Sequence, residues 1–334
     1  YIICLMKIFS GSSHPEFSEA LKKYFPESSW GNINIGSFAD GEINVSINES
    51  VRKETCFVIQ PTGPSSGKSP NDNLMELFII IDALKRGSAK RVTAVIPYYG
   101  YERQDRKDYS RAPISAAVVA RCLEAVNVDR VIVYDLHAGQ IAGFFSNKCP
   151  LDNLYVEPYF IKYIKNTILK DKSKEDIIIV SPDEGAVKQT VRVASRIGCG
   201  AATIFKSRNK PNSIGTMMLM GDVTNKTAII VDDLIDTAGT ACKACEVLTE
   251  NGATEVYMLA CHGLFSDPAI DRIEKSSFKK ILVSNTLPTN EKIRNCKKIE
   301  IIDVSWLCSE AIRRQVEGKS LNELYDSNEF SNYN

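Results

Sequence analysis

Residues Thr227–Thr240 read TAIIVDDLIDTAGT, and their order of residue types decides what the surrounding chain must be. Four apolar residues, Ala228–Val231, suit a strand buried on both faces. The strand ends in Asp232-Asp233, a short loop carries Asp236-Thr237-Ala238-Gly239-Thr240, and an amphipathic stretch follows. Strand, loop and helix in that order form one step of an open α/β sheet, where ligands gather at the carboxyl ends of strands. The first turn of the helix offers unpaired backbone N–H groups and the positive end of a dipole, which together suit a phosphate. Gly239 allows close backbone approach, and Thr237 and Thr240 add hydroxyl donors. Asp232 and Asp233 would repel the phosphate if they faced it, so they are better used on sugar hydroxyls, as acceptors, or on a metal. A capped strand-to-helix turn with no ligand would use the same Asp and Thr residues.

The same alternation repeats on both sides of this segment. Strands are expected at Cys56–Gln60, Arg91–Ile96, Arg130–Asp135, Asp176–Ser181, Glu255–Cys261, Lys280–Val283 and Ile299–Asp303, all rich in Val and Ile. Helices are expected at Asn73–Arg86, Ile114–Val126, Tyr159–Leu169, Gly185–Ile197 and Gly239–Asn251, the last stopped by Asn251-Gly252. Pro61–Pro70 is a loop, and its Gly63-x-x-x-Gly67-Lys68-Ser69 has one residue too few between the glycines for a P-loop. With 334 residues the chain is long for one core. The fold class is therefore α/β, with two similar domains, each a parallel sheet flanked by helices. Their expected bounds are 6–156 and 157–312, with a tail, 313–334, packing on the first domain.

Composition excludes several classes of function. Lys+Arg and Asp+Glu number 41 each, so no global field exists to hold a nucleic acid. No apolar run approaches the ~20 residues of a membrane span, and the opening Tyr1–Leu5 is too short for a signal peptide. Met6-Lys7-Ile8-Phe9 reads as a natural start, with residues 1–5 a remnant of something longer. Ten scattered cysteines, several in apolar stretches (Cys56, Cys199, Cys261), read as reduced thiols of a cytoplasmic protein. Cys242-x-x-Cys245 falls where a helix begins, with no second pair and only three histidines in the chain, which argues against a metal or redox pair.

The apolar strand, two acids and D-T-x-G-T of 227–240 resemble the phosphoribosyl-diphosphate signature of the type I phosphoribosyltransferase fold. Three further segments are similar to the ribose-phosphate diphosphokinases (pyrophosphokinases) of that fold and not to its transferases. The first is Tyr101-Glu102-Arg103-Gln104-Asp105-Arg106-Lys107, running on to Ser110–Ser115, a cationic loop fit for a polyphosphate. The second is Asp135-Leu136-His137-Ala138-Gly139-Gln140, at the end of a buried strand. The third is Ser181-Pro182-Asp183-Glu184-Gly185-Ala186, where the family usually has a second glycine at Ala186. Phe38-Ala39-Asp40-Gly41-Glu42 resembles the family's adenine-binding turn, and Lys206-Ser207-Arg208 its catalytic lid. The likeness runs from Lys7 to about Leu324 with the motifs in the family's order.

This resemblance implies an enzyme that moves the β,γ-diphosphate of ATP to the 1-hydroxyl of ribose 5-phosphate. It implies ATP on Phe38, Asp40, Gly41, Glu42, Arg103, Gln104, Asp105 and Asp108. The sugar phosphate falls to Asp232, Asp233, Asp236, Thr237, Ala238, Gly239 and Thr240, magnesium (Mg2+) to His137, Asp183 and Asp135, and catalysis to Lys206 and Arg208. It also implies a homo-oligomer, dimers building a hexamer. Ser50-Val51-Arg52 fits the family's phosphate and ADP regulatory pattern, whereas Ala142, Ser320–Leu324 and two extra residues between Phe145 and Asp152 depart from it. Two rivals are a phosphoribosyltransferase, which needs neither the Arg103 loop nor Lys206, and a non-catalytic subunit, in which losses in the lid are expected.

Overall fold

The computed structural model describes residues 6–207 and 216–326. It divides into two compact units, each an α/β layer structure built on a parallel sheet. One unit comprises the chain up to Tyr155, Asn285–Pro288 and the chain from Asp303 onward; the other comprises Val156–Ser284 and Thr289–Ile302.

The sheet of the first unit has the order β1-β4-β5-β6-β7, all parallel: Met6–Ser10, Thr55–Ile59, Arg91–Ile96, Arg130–Tyr134 and Leu151–Leu154. A separate antiparallel hairpin, β2 (Ile33–Ser37) with β3 (Ile43–Ile47), interrupts the sequence. β4 to β6 are buried almost throughout, as expected of strands covered on both faces. Helix Pro70–Arg86 starts three residues before the sequence suggested. Ser69 caps it, exchanging bonds with Asp72 (Asp72 N to Ser69 Oγ 3.3 Å, Ser69 N to Asp72 Oδ2 2.7 Å), and Pro70 fits the first turn. Its Leu77, Ile80, Ile81 and Leu84 are fully buried with Val58 and Val92 of the sheet. Each such side chain contributes about 1.5–3 kcal/mol. Helix Ser305–Glu317 closes this unit from the far end of the chain: Tyr134 Oη donates to Val304 O (3.1 Å) and Gln315 Nε2 to Thr93 Oγ1 (2.6 Å).

The sheet of the second unit has seven strands, β10-β9-β8-β11-β12-β13-β14: Thr216–Met220, Gly200–Ser207, Ile177–Ser181, Thr227–Ile235, Glu255–Gly263, Phe278–Ser284 and Ile299–Ile302. All pairs are parallel except β10 on β9, an antiparallel edge. Helix Val187–Ile197 ends at Gly198 with φ 82°, a left-handed stop that glycine supplies without strain. The helix expected over Tyr159–Leu169 is shorter: Glu157–Tyr163 is α-helical, and a π turn over Ile164–Ile168 widens its end.

Nine cysteines are free among the described residues. Cys242 and Cys245 are both buried in helix Gly239–Glu250, and burial pushes the Cys245 thiol up to about 12. They are core residues. No helix among the described residues is long and apolar enough to cross a membrane.

Candidate active site

In the first unit, β5 ends at Ile96 and the chain enters Pro97–Gly100 with Tyr98 and Tyr99 buried. Tyr99 Oη donates to Ala116 O at 3.1 Å. Gly100 N donates to Thr62 Oγ1 at 2.7 Å. A Cβ on Gly100 would stand 2.4 Å from Thr62 O, so the approach of these two backbones requires glycine. Tyr101 then takes a left-handed φ of 69°. Beyond this reversal Glu102 and Asp105 turn inward, while Arg103, Gln104, Arg106, Lys107 and Asp108 are exposed. Arg106 Nε pairs with Asp108 at 2.9 Å, so part of the cationic charge read from the sequence is met within the loop itself. Gln104 is held at both ends: its carbonyl accepts from Ala116 N (3.2 Å) and its side chain from Ser115 Oγ.

The turn after β6 lies against this loop. Three successive N–H groups find acceptors on other elements: Asp135 N on Leu154 O (2.8 Å), Leu136 N on Asn153 Oδ1 (3.2 Å), and His137 N on Glu102 Oε2 (3.0 Å). Gln140 Nε2 donates to Asp105 Oδ2 at 2.5 Å. The structure therefore gathers Glu102–Asp105, His137 and Gln140 into one cluster. His137 is exposed at the strand end, whereas Asp135 is buried with φ 33°. Burial raises the Tyr325 hydroxyl, and the Asp135 charge raises it further.

The turn Phe38–Glu42 stands apart, at the tip of the β2–β3 hairpin. Phe38 N donates to Glu42 O (2.8 Å), Glu42 N to Asp40 Oδ1 (3.1 Å), and Gly41 has φ 94°. Phe38 is 55% exposed, and Asp40 and Glu42 are exposed beside it.

In the second unit, β11 continues past the expected end at Asp232 to Ile235, because Leu234 and Ile235 go on pairing with His262 and Gly263 of β12. Asp233 N donates to Asp232 Oδ1 at 3.0 Å. Burial pushes the Asp232 carboxyl well above the ordinary range, and the neighbouring Asp233 and Asp183 charges add to it. Asp183, at the end of β8, turns back on its own loop, Gly185 N donating to Asp183 Oδ1 at 3.0 Å. Three carboxylates from two strand ends thus share one neighbourhood. Ala238, left-handed at φ 57°, then starts helix Gly239–Glu250. The first N–H groups of that helix have no intrahelical acceptor and face where an anion would sit.

Two residues join these clusters that the sequence did not single out for a role. Arg272, from helix Ala269–Lys275, donates to Thr237 O at 2.9 Å, and its guanidinium would be 3.3 Å from a Cβ on Gly239. It brings a cation to a loop whose one charged side chain, Asp236, is acidic. Glu102 stands inside a motif quoted above, but nothing in its spacing shows that it turns inward to His137. Of the lid residues, Lys206 lies at the end of β9, and Arg208 lies outside the described residues. No three His, Cys, Asp or Glu side chains are grouped for a metal among the described residues.

Comparison with known proteins gives the clusters their context. Residues 6–126 match the family model for the N-terminal domain of ribose phosphate pyrophosphokinase, and residues 189–326 match the phosphoribosyl synthetase-associated domain. The chain is 45% identical over 320 residues to ribose-phosphate pyrophosphokinase A of Dictyostelium discoideum, covering 96% of this chain and 98% of that one. Its fold matches the crystal structure of phosphoribosylpyrophosphate synthetase from Mycobacterium smegmatis with a TM-score of 0.85 at 37% identity, covering 94% of this chain and 99% of the other. The pyrophosphokinase matches, running through both units, place this chain in the ribose-phosphate pyrophosphokinase family.

Proposed function

We propose that the two clusters divide the synthesis of 5-phosphoribosyl 1-diphosphate from ATP and ribose 5-phosphate, the activity that membership of this family entails. The observation that carries the division is the contrast between them: an exposed Arg103-Gln104 pair on one strand-end loop, and paired acids with a helix start on another.

Ribose 5-phosphate places its phosphate on the backbone and hydroxyls of Asp236–Thr240, steadied by Arg272, and its ring hydroxyls on Asp232 and Asp233. ATP takes Arg103 and Gln104 with its phosphates and the Phe38–Glu42 tip with its purine, Phe38 stacking on the face and Asp40 and Glu42 accepting from the exocyclic amine. Asp105 acts by holding Gln140 and Asp108 by pairing Arg106, so both shape the loop. The anomeric oxygen forms a bond to the β-phosphorus and loses its proton to solvent. The bond from that phosphorus to the α,β-bridging oxygen breaks, and AMP leaves with the bridging oxygen. Lys206 and Arg208 neutralise charge developing on these oxygens, a contribution of about 3–4 kcal/mol for each cation.

Magnesium fits the residues present. The raised Asp232 carboxyl beside Asp233 and Asp183 marks a place short of positive charge. An ion that keeps several waters and takes substrate phosphates does not need a closed trio of protein ligands. On the family likeness, Asp183 in the second unit and His137 and Asp135 in the first are the residues that would take magnesium, which would supply charge neutralisation on the phosphates. Dimers that build a hexamer are proposed on the family likeness. A cytoplasmic setting is proposed on the free, mostly buried thiols, which a reducing compartment maintains.

The test is chromatographic. With ATP, magnesium and ribose 5-phosphate, sugar-dependent AMP is expected, and Lys206→Ala should lower kcat roughly 100- to 1000-fold. ADP in place of AMP would overturn attack at the β-phosphorus.

A further inference from the structure

We infer that Glu102 is a positioning residue that locks the ATP-phosphate loop to the His137 turn. The inference rests on the assignment of Arg103-Gln104 to the ATP phosphates and of His137 to magnesium, and goes beyond it by naming what fixes their relative placement.

Glu102 is 1% exposed. A buried carboxylate is costly unless donors meet it, and here Oε2 accepts from the backbone N–H of His137 at 3.0 Å. The bond has directional consequences because both of its ends are already anchored. On one side, Tyr99 is buried and Gly100 N is tied to Thr62, so the chain enters Glu102 from a fixed point. On the other, Asp135 and Leu136 hand their N–H groups to Leu154 and Asn153, so His137 is the third of three pinned residues. Asp105 and Gln140 make a second tie between the same two segments. Since Glu102 immediately precedes Arg103, its side chain converts the position of the histidine backbone into the position of the phosphate-binding cation.

The test compares Glu102→Ala, Glu102→Gln and the parent protein. Kinetic constants are measured for each substrate, ATP affinity is measured by calorimetry with magnesium but without sugar, and folding is checked by circular dichroism and melting. Removal of the acceptor should weaken ATP affinity and raise its KM roughly tenfold or more and lower kcat by up to about 100-fold, as misplacement near 1 Å does. The KM for ribose 5-phosphate should stay within about twofold, since that site lies in the other unit. The Gln variant, whose amide oxygen accepts the same bond, should stay within about threefold of the parent for ATP. Unchanged ATP constants in a folded Ala variant would overturn the inference. So would a Gln variant as impaired as Ala, or equal rises in both KM values with a lower melting temperature, which a merely structural role would give. Should the Ala variant fail to fold, Glu102→Asp, one methylene too short, must lose ATP affinity for the inference to stand. A parent protein that makes no AMP sinks the proposed function instead, while calorimetry still decides the role of Glu102.

Discussion

Gly100 offers a perturbation whose size follows from the geometry. Its missing Cβ would lie 2.4 Å from the carbonyl oxygen and 3.1 Å from the hydroxyl of Thr62, where ordinary contact begins at 3.4 Å. Gly100→Ala must therefore drive the backbones apart by about 1 Å in a region packed at crystal-like density. Overpacking of this kind costs about 1–3 kcal/mol, and the strained bond from Gly100 N to Thr62 Oγ1 adds about 1. The sum of about 2–4 kcal/mol converts to roughly 4–16 °C in the melting of a unit of this size. Because Glu102 and Arg103 follow directly, the ATP KM should rise as well, with the ribose 5-phosphate KM unchanged. Scanning calorimetry with substrate-resolved kinetics reads both effects. Gly143→Ala, where an added Cβ would meet nothing within 4 Å, is the matched control and should shift neither. A Gly100→Ala protein that melts within about 1 °C of the parent with the same ATP KM would refute the claim that this contact sets the loop.

Three further outcomes are expected. Arg272→Ala should raise the ribose 5-phosphate KM roughly tenfold with little change for ATP, because it removes a charge-assisted bond from the phosphate loop; equal constants would show that Thr237 needs no such support. Asp232 has a folded-state pKa above its unfolded value, so its stabilising effect is complete below the unfolded carboxylate pKa and is lost as pH rises through the raised folded value. Asp232→Asn should accordingly gain melting temperature relative to the parent as pH rises, and a difference that is flat with pH would exclude the carboxylate cluster as its cause. Burial pushes Cys56, Cys149, Cys245 and Cys308 up to about 12, so a thiol reagent should reach them slowly in the native protein, with the half-buried Cys122 and Cys199 reacting sooner and all ten on denaturation. A native Cys242–Cys245 disulfide would contradict the core reading of that pair.

The parallel core strands were legible because their burial on two faces leaves an unbroken Val/Ile run, as in Arg91–Ile96, where the expected and observed bounds coincide. The hairpin strands were not read as strands. Ile33–Ser37 and Ile43–Ile47 are short, alternate with Asn and Ser, and bury only one side incompletely. The edge strand Thr216–Met220 escaped for a related reason: Met218 and Met220 are 62% and 63% exposed, so its residue types do not announce which face is inside. At the candidate site, the strand-end residues Asp232, Asp233, His137 and Asp183 were visible as motifs. The contacts of Arg272 and Glu102 were not, because each is made to a partner 35 residues away that only the fold supplies.

The unit that opens the chain is also the one that closes it. His14 Nε2 bonds to the carbonyl of Asn285, 271 residues downstream, and Thr93 waits for Gln315 across 222. During synthesis the second unit, contained between residues 156 and 302, is fully emitted and free to fold while the first still lacks helix Ser305–Glu317. Domains made in order usually finish in order. Of the two, the unit whose strands are made earlier is the later one to be completed. A chain interrupted after residue 284 would therefore carry a nearly finished second unit and a first unit whose Tyr134 and Thr93 lack their partners, a target for chaperones and proteases until helix Ser305–Glu317 arrives.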